Sequence, residues 1–109
     1  MAQLNIFKTV TAVLTTAPTI LYTAPTGYAS IILMAQISNI TASTKTITFS
    51  HYGGSTTTEL LSSFSIPPND AVSATTGKLV LETGQSVTAS ASANSSVKAV
   101  LSILETSNG

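Results

Sequence analysis

Hydrophobic and polar positions in this chain alternate with a period of two, not 3.6. The clearest stretch is residues 86–93. Val87, Ala89, Ala91 and Ala93 share one face, and Ser86, Thr88, Ser90 and Ser92 share the other. This predicts a half-buried strand with small inner residues and something bulky opposite. Residues 45–52 alternate too, with Ile47 and Phe49 on one face and Thr46, Thr48 and Ser50 on the other. Val97, Ala99, Leu101 and Ile103 form a third inner face. Residues 31–40 differ. Ile31, Leu33, Ala35 and Ile37 line one face, but Ile32, Met34 and Ile40 are apolar on the other. A strand apolar on both sides is central in a sheet or lies in a contact between subunits. Short apolar or alternating runs at 9–14, 19–23 and 79–81 complete the set, with 59–66 as an eighth strand.

Turn chemistry separates these runs at short intervals: Pro18, Pro25-Thr-Gly27, Gly53-Gly54, Pro67-Pro68-Asn-Asp70, Thr76-Gly77 and Thr83-Gly84. The pattern predicts an all-β fold, a single antiparallel β-sandwich or jelly-roll-like domain of seven to eight short strands. Residues 1–18 read as an N-terminal strand or extended arm of that domain, 19–105 as the sandwich, and 106–109 as a loose polar tail. Leu4, Phe7, Thr11 and Leu14 are also spaced as one face of a helix, but the Val and Thr content favours strand or arm.

Composition narrows the function classes. Of 109 residues, 35 are Ser or Thr and only eight are charged, four Lys against four acids. Neutrality and the absence of Arg argue against a nucleic-acid binder, which needs several cations to displace counterions from phosphate. With no Cys and His51 as the sole histidine, no protein-only zinc or iron–sulfur site and no disulfide is expected. No apolar run approaches the length of a membrane span, and the first eight residues lack the pattern of a secretory signal. A charged fraction of 7% is far below the roughly 25% of ordinary soluble domains. Near-zero net charge favours association, which suits a protein packed into an assembly.

No catalytic constellation emerges. His51 lies at a predicted strand end, without the Gly-x-Ser-x-Gly elbow that would expose a nucleophile. Glu59, Asp70, Glu82 and Glu105 are widely separated and read as solubilising residues flanking apolar strands. Asn69-Asp70 reads as an Asx-type turn, since no Asp-rich calcium loop accompanies it. Asn39-Ile-Thr41 and Asn94-Ser-Ser96 match the N-glycosylation pattern, as chance matches in a chain rich in Ser and Thr. No enzyme activity, cofactor or metal is therefore expected.

One resemblance is carried by longer segments. Thr19-Ile-Leu-Tyr-Thr-Ala-Pro-Thr-Gly27 followed by the apolar run 31–37, then Ile66-Pro-Pro-Asn-Asp70, Lys78-Leu-Val-Leu-Glu-Thr-Gly-Gln-Ser-Val87 and Leu101-Ser-Ile-Leu-Glu105, resemble small β-sandwich virion structural proteins of tailed bacteriophages. The resemblance implies a non-enzymatic protein of the virion, made in the host cytoplasm. It implies most directly a capsid decoration (cement) protein bound to the major capsid protein. A neck, collar, tail or fibre component bound to other virion proteins is the alternative, and a carbohydrate-binding sandwich is a more remote one. A homo-oligomer with neither nucleic-acid nor membrane contacts is expected. The interface is expected on the 31–40 strand or on a 4–14 arm that adds to a neighbour's sheet, and the candidate interface residues are Phe7, Ile32, Met34, Ile40 and Tyr52.

Overall fold

The structure is a computed structural model describing residues 5–75 and 77–107. Leu4, Thr76 and the tail positions Asn108 and Gly109 lie outside the described residues. The described residues form nine strands and no helix: β1 (Asn5–Val13), β2 (Thr19–Thr23), β3 (Tyr28–Asn39), β4 (Lys45–Tyr52), β5 (Thr57–Ile66), β6 (Ala71–Ser73), β7 (Leu79–Leu81), β8 (Ser86–Ala91) and β9 (Val97–Ser107). The strand at 71–73 had no alternation to announce it, because three residues are too few to establish a period.

Two antiparallel sheets pack as a β-sandwich. Sheet I runs β1-β9-β3, with β6 and β7 end to end along the far edge of β3. Sheet II runs β2-β8-β4-β5. The inner faces predicted from alternation are the buried ones: Ile47 and Phe49 on β4, Val87, Ala89 and Ala91 on β8, and Val97, Ala99, Leu101 and Ile103 on β9. Phe49 lies in register beside Ala89, so the small residues of β8 flank the largest buried side chain.

The strand β3 corrects the expected faces. Its pairing with β9 steps from Ile32↔Ile103 to Met34↔Ser102, so Leu33 is an extra residue in a β-bulge. One inserted residue exchanges the two faces of a strand. Ser30 and Ile32 are therefore buried before the bulge, and Ala35, Ile37 and Asn39 after it. Ile31 and Leu33, expected to share an inner face with Ala35 and Ile37, are instead only half-buried.

The turns use glycine where the backbone demands it. Gly27 and Gly84 both adopt φ of 86°, the third position of turns closed by Tyr28 N–H to Pro25 O (3.1 Å) and Gln85 N–H to Glu82 O (2.9 Å). That conformation is disfavoured for residues bearing a Cβ. β1 is a strand of sheet I rather than a projecting arm. Thr106 and Ser107, expected in a loose tail, extend β9 opposite Ala29 and Tyr28.

Candidate assembly surface

The outer face of sheet I carries a row of apolar side chains. Phe7 on β1 pairs with Leu104 on β9, Leu104 with Ile31 on β3, and Ile31 with Val80 on β7. These four residues form one row across the sheet. Its ends are exposed, Phe7 at 75% and Val80 at 57%, while Leu104 and Ile31 are half-buried between them. Met34 and Val100 lie on the same face one and two rows along, and Leu33 sits at the bulge between Ile32 and Met34. Thr9, Thr11, Ser102 and Gln36 fill the rows around these residues. Lys98 is the charged side chain of this face among the described strands, near one end. The row is thus apolar from edge to edge of the sheet and set among uncharged hydroxyls, the type of surface from which protein contacts are made.

The edges of the two sheets differ in protection. β1 pairs with β9 in unbroken register from Asn5↔Thr106 to Val13↔Lys98, so its other side is a regular nine-residue edge. β5, the long edge of sheet II, has two register shifts and a left-handed residue, Ser63 at φ 48°. β2 is five residues with a bulge, and β6 and β7 are three residues each. Bulges and short strands block edge pairing, and β1 has neither device.

The five candidate interface residues are dispersed. Phe7 and Met34 share the outer face of sheet I. Ile32 is a core residue at 0% exposure, because the bulge turns it inward, and its side chain is not available to a partner. Ile40 is 50% exposed just beyond the end of β3, where its N–H donates to Ser96 O (3.1 Å). Tyr52 ends β4 in sheet II, its hydroxyl donating to Gly54 O (2.8 Å).

One carboxylate is buried between the sheets and serves structure rather than solubility. Glu105 is 2% exposed, against its expected surface role. Its parity already continued the inner face of Val97, Ala99, Leu101 and Ile103, a signal that charge type masked. Tyr22 of sheet II donates its hydroxyl to the Glu105 carboxylate and lies 2.8 Å from Ser30 Oγ. Lys8 Nζ stands 3.4 Å from the same carboxylate. The cluster joins three strands of sheet I to β2 of sheet II. Burial, and then the hydrogen bond with Glu105, push the Tyr22 hydroxyl up to about 12.

The remaining chemical candidates occupy structural positions. His51 Nε2 lies 3.2 Å from Gln85 Oε1, which also accepts from Glu82 N–H at 3.0 Å, so the histidine braces a turn. Asp70 Oδ1 accepts from Ala71 N–H (2.8 Å) beside Asn69, which adopts φ of 55°. Asn39 is 1% exposed and its Nδ2 donates to the carbonyls of Ser43, Ile66 and Pro67, leaving that amide no room for a glycan. No group of three potential metal ligands occurs among the described residues.

A groove of about 450 Å³ opens on the outer face of sheet II, lined by residues of β2, β4, β5 and β8 and by Pro18. Alternation placed Thr48, Ser50, Thr88 and Ser90 on this face, but the pairing of the four strands that makes it a groove was not readable from the sequence.

No family model matches the chain, and no curated protein matches it. Among solved structures, the fold is similar to that of the Bacillus endospore appendages described as a novel family of disulfide-linked pili. The TM-score is 0.57 at 10% sequence identity, over 96% of this chain and 88% of the other. At that identity the likeness concerns the fold.

Proposed function

We propose that this chain is a non-catalytic structural subunit that works packed against other proteins through the outer face of sheet I. The observation that carries the proposal is the row Phe7–Leu104–Ile31–Val80, apolar across the full width of the sheet and almost free of charge around it. Four strands at about 4.8 Å spacing and nine residues at about 3.3 Å give a face of roughly 570 Å². Two such faces in contact bury roughly 1,100 Å², close to the lower bound of specific interfaces. A lone contact of this size is weak, so stability comes from many repeated contacts in a lattice.

In its more specific form, the proposal is a decoration protein of a tailed-phage head. The face seats on the major capsid protein, and burial that exists only in the assembled shell stabilises that shell. The segment resemblance around residues 19–105 supports this form. A second form is a polymer of this chain itself. The likeness in fold to a pilus protein and a face almost free of charge favour it. Without cysteine such a polymer is non-covalent. Quantitative densitometry and imaging of purified particles decide between them. Hundreds of copies on the head surface are expected for decoration, a ring of few copies marks a neck or tail part, and filaments of the purified chain alone mark the polymer. The double substitution Phe7→Glu and Val80→Lys is expected to abolish incorporation in every case. Normal incorporation of that variant refutes the assembly face.

A further inference from the structure

We propose that the groove on the outer face of sheet II binds a neutral saccharide of about disaccharide size. This site lies on the sheet that carries no part of the proposed assembly face, so it stands or falls independently of that reading. The strand register builds it. Ile20 on β2 pairs with Thr88 on β8, Thr88 with Ser50 on β4, and Ser50 with Glu59 on β5. This row runs from an apolar side chain, through two hydroxyls, to a carboxylate. Three strand spacings make it about 14 Å long.

Most hydroxyls in the groove are uncommitted, while Thr48 accepts from Ser63 N–H (3.1 Å). Outside it, many are engaged: Thr23 with Ser86, Thr41 with Asn39 and Ser43, Ser73 with Thr75, and Ser96 with Asn94. Within it, among the described residues, Ser50, Thr57, Thr88 and Ser90 make no side-chain hydrogen bond, nor does the Glu59 carboxylate. Ser50 is only 4% exposed, yet among the described residues no buried polar side-chain atom lacks a partner, so its hydroxyl opens onto the groove that it lines. Free donors and acceptors therefore converge in a concavity whose volume falls within the usual range of small-ligand sites.

The lining selects the ligand class. No cationic side chain lines the groove, which disfavours an anion. A single carboxylate is too few for a dedicated divalent-cation site. A wholly apolar ligand would strand the hydroxyls without partners. A sugar satisfies both halves. Its hydroxyls give and take protons with Ser50, Thr88 and Ser90, and adjacent sugar hydroxyls donate together to Glu59. Its C–H face lies against Pro18, Ile20 and the Tyr52 ring, whose hydroxyl is already committed to Gly54.

Amide-resolved NMR titration of the full chain tests this, with maltose, cellobiose and N,N′-diacetylchitobiose as neutral probes and sialyllactose as an anionic one. At least one neutral probe is expected to shift the signals of residues 50, 88 and 90. Glu59→Gln and Thr88→Val are each expected to weaken that probe by about three- to tenfold, the effect of one lost hydrogen bond, with thermal unfolding unchanged. Glu59→Gln is also expected to improve sialyllactose binding relative to the native chain, a sign of charge in the site that a purely structural role of Glu59 would not produce. The proposal is overturned if no neutral probe shifts these residues at tens of millimolar, if the shifts map elsewhere, or if Thr88→Val binds as well as the native chain.

Discussion

Replacing Tyr22 with Phe tests whether the two sheets are pinned together by the buried cluster around Glu105. The substitution keeps the ring and deletes the hydroxyl that donates to Glu105 and lies 2.8 Å from Ser30 Oγ. A hydrogen bond to a charged group contributes about 1.5–3 kcal/mol, and losing it leaves a carboxylate of 2% exposure with Lys8 as its remaining partner. Lys8 is 48% exposed and Tyr22 only half-buried, so solvent screens part of the effect and about 2 kcal/mol is expected. For a domain of this size that lowers Tm by about 10 °C. The assay is urea and thermal unfolding by circular dichroism of Tyr22→Phe, Glu105→Gln and the double variant, giving a coupling energy of about 1–2 kcal/mol. The folded state holds the Tyr22 proton more tightly than the unfolded chain does. Its contribution is therefore full below pH 10 and is lost as pH rises towards about 12. The difference between native and Tyr22→Phe stability should shrink over that window. A coupling within about 0.3 kcal/mol of zero, the tolerance for independent sites, refutes the cluster as an inter-sheet tie.

Deleting Leu33 restores plain alternation in β3, with Ile32, Ala35, Ile37 and Asn39 still facing inward and their pairs with β9 kept, so cooperative melting by circular dichroism is expected to survive. Inserting one Ala after Met34 instead turns Ala35, Ile37 and Asn39 outward; loss of Ile37 burial alone costs about 2–5 kcal/mol, so that insertion is expected to abolish cooperative melting. Asn39→Ala removes an amide whose two protons are shared among three loop carbonyls and whose oxygen accepts twice from Thr41, and is expected to cost about 2–3 kcal/mol in urea unfolding. Ser63→Gly relieves a left-handed backbone at φ 48° and is expected to raise stability by about 1 kcal/mol or slightly less, read as a Tm increase. Phe7→Glu with Val80→Lys changes exposed residues and is expected to move stability by less than about 0.5 kcal/mol per site while eliminating concentration-dependent association in sedimentation velocity.

The strands with clean alternation were legible because one face is wholly buried and the other wet. β8 and β9 are the clearest cases, and Glu105 shows the limit: parity placed it inward while its charge argued outward. In β3 the apolar residues on both faces signalled a central strand correctly, yet assigned Ile32 to a contact. The bulge at Leu33 depends on pairing with β9, some seventy residues away, and leaves no local mark. Phe7 and Met34 are legible as candidates from the 4–14 segment and the second apolar face of 31–40, but the row that gives Phe7 its neighbours is assembled from four strands distant in sequence. Registers between strands depend on tertiary packing, which the spacing within one strand does not encode. The groove in sheet II was hidden for the same reason.

That row also has a temporal consequence. Phe7, Ile31 and Val80 belong to strands separated by long stretches of chain, and Leu104, on the last strand of the fold, lies between Phe7 and Ile31. During synthesis β1 and β3 have no shared partner until β9 leaves the ribosome. Such distant pairings make folding slow, since loop closure precedes any contact that rewards it. They also keep the sticky surface in pieces on the nascent chain. The face that would attach this protein to its neighbours comes into existence only as β9 docks, so competence to associate is coupled to completion of the fold.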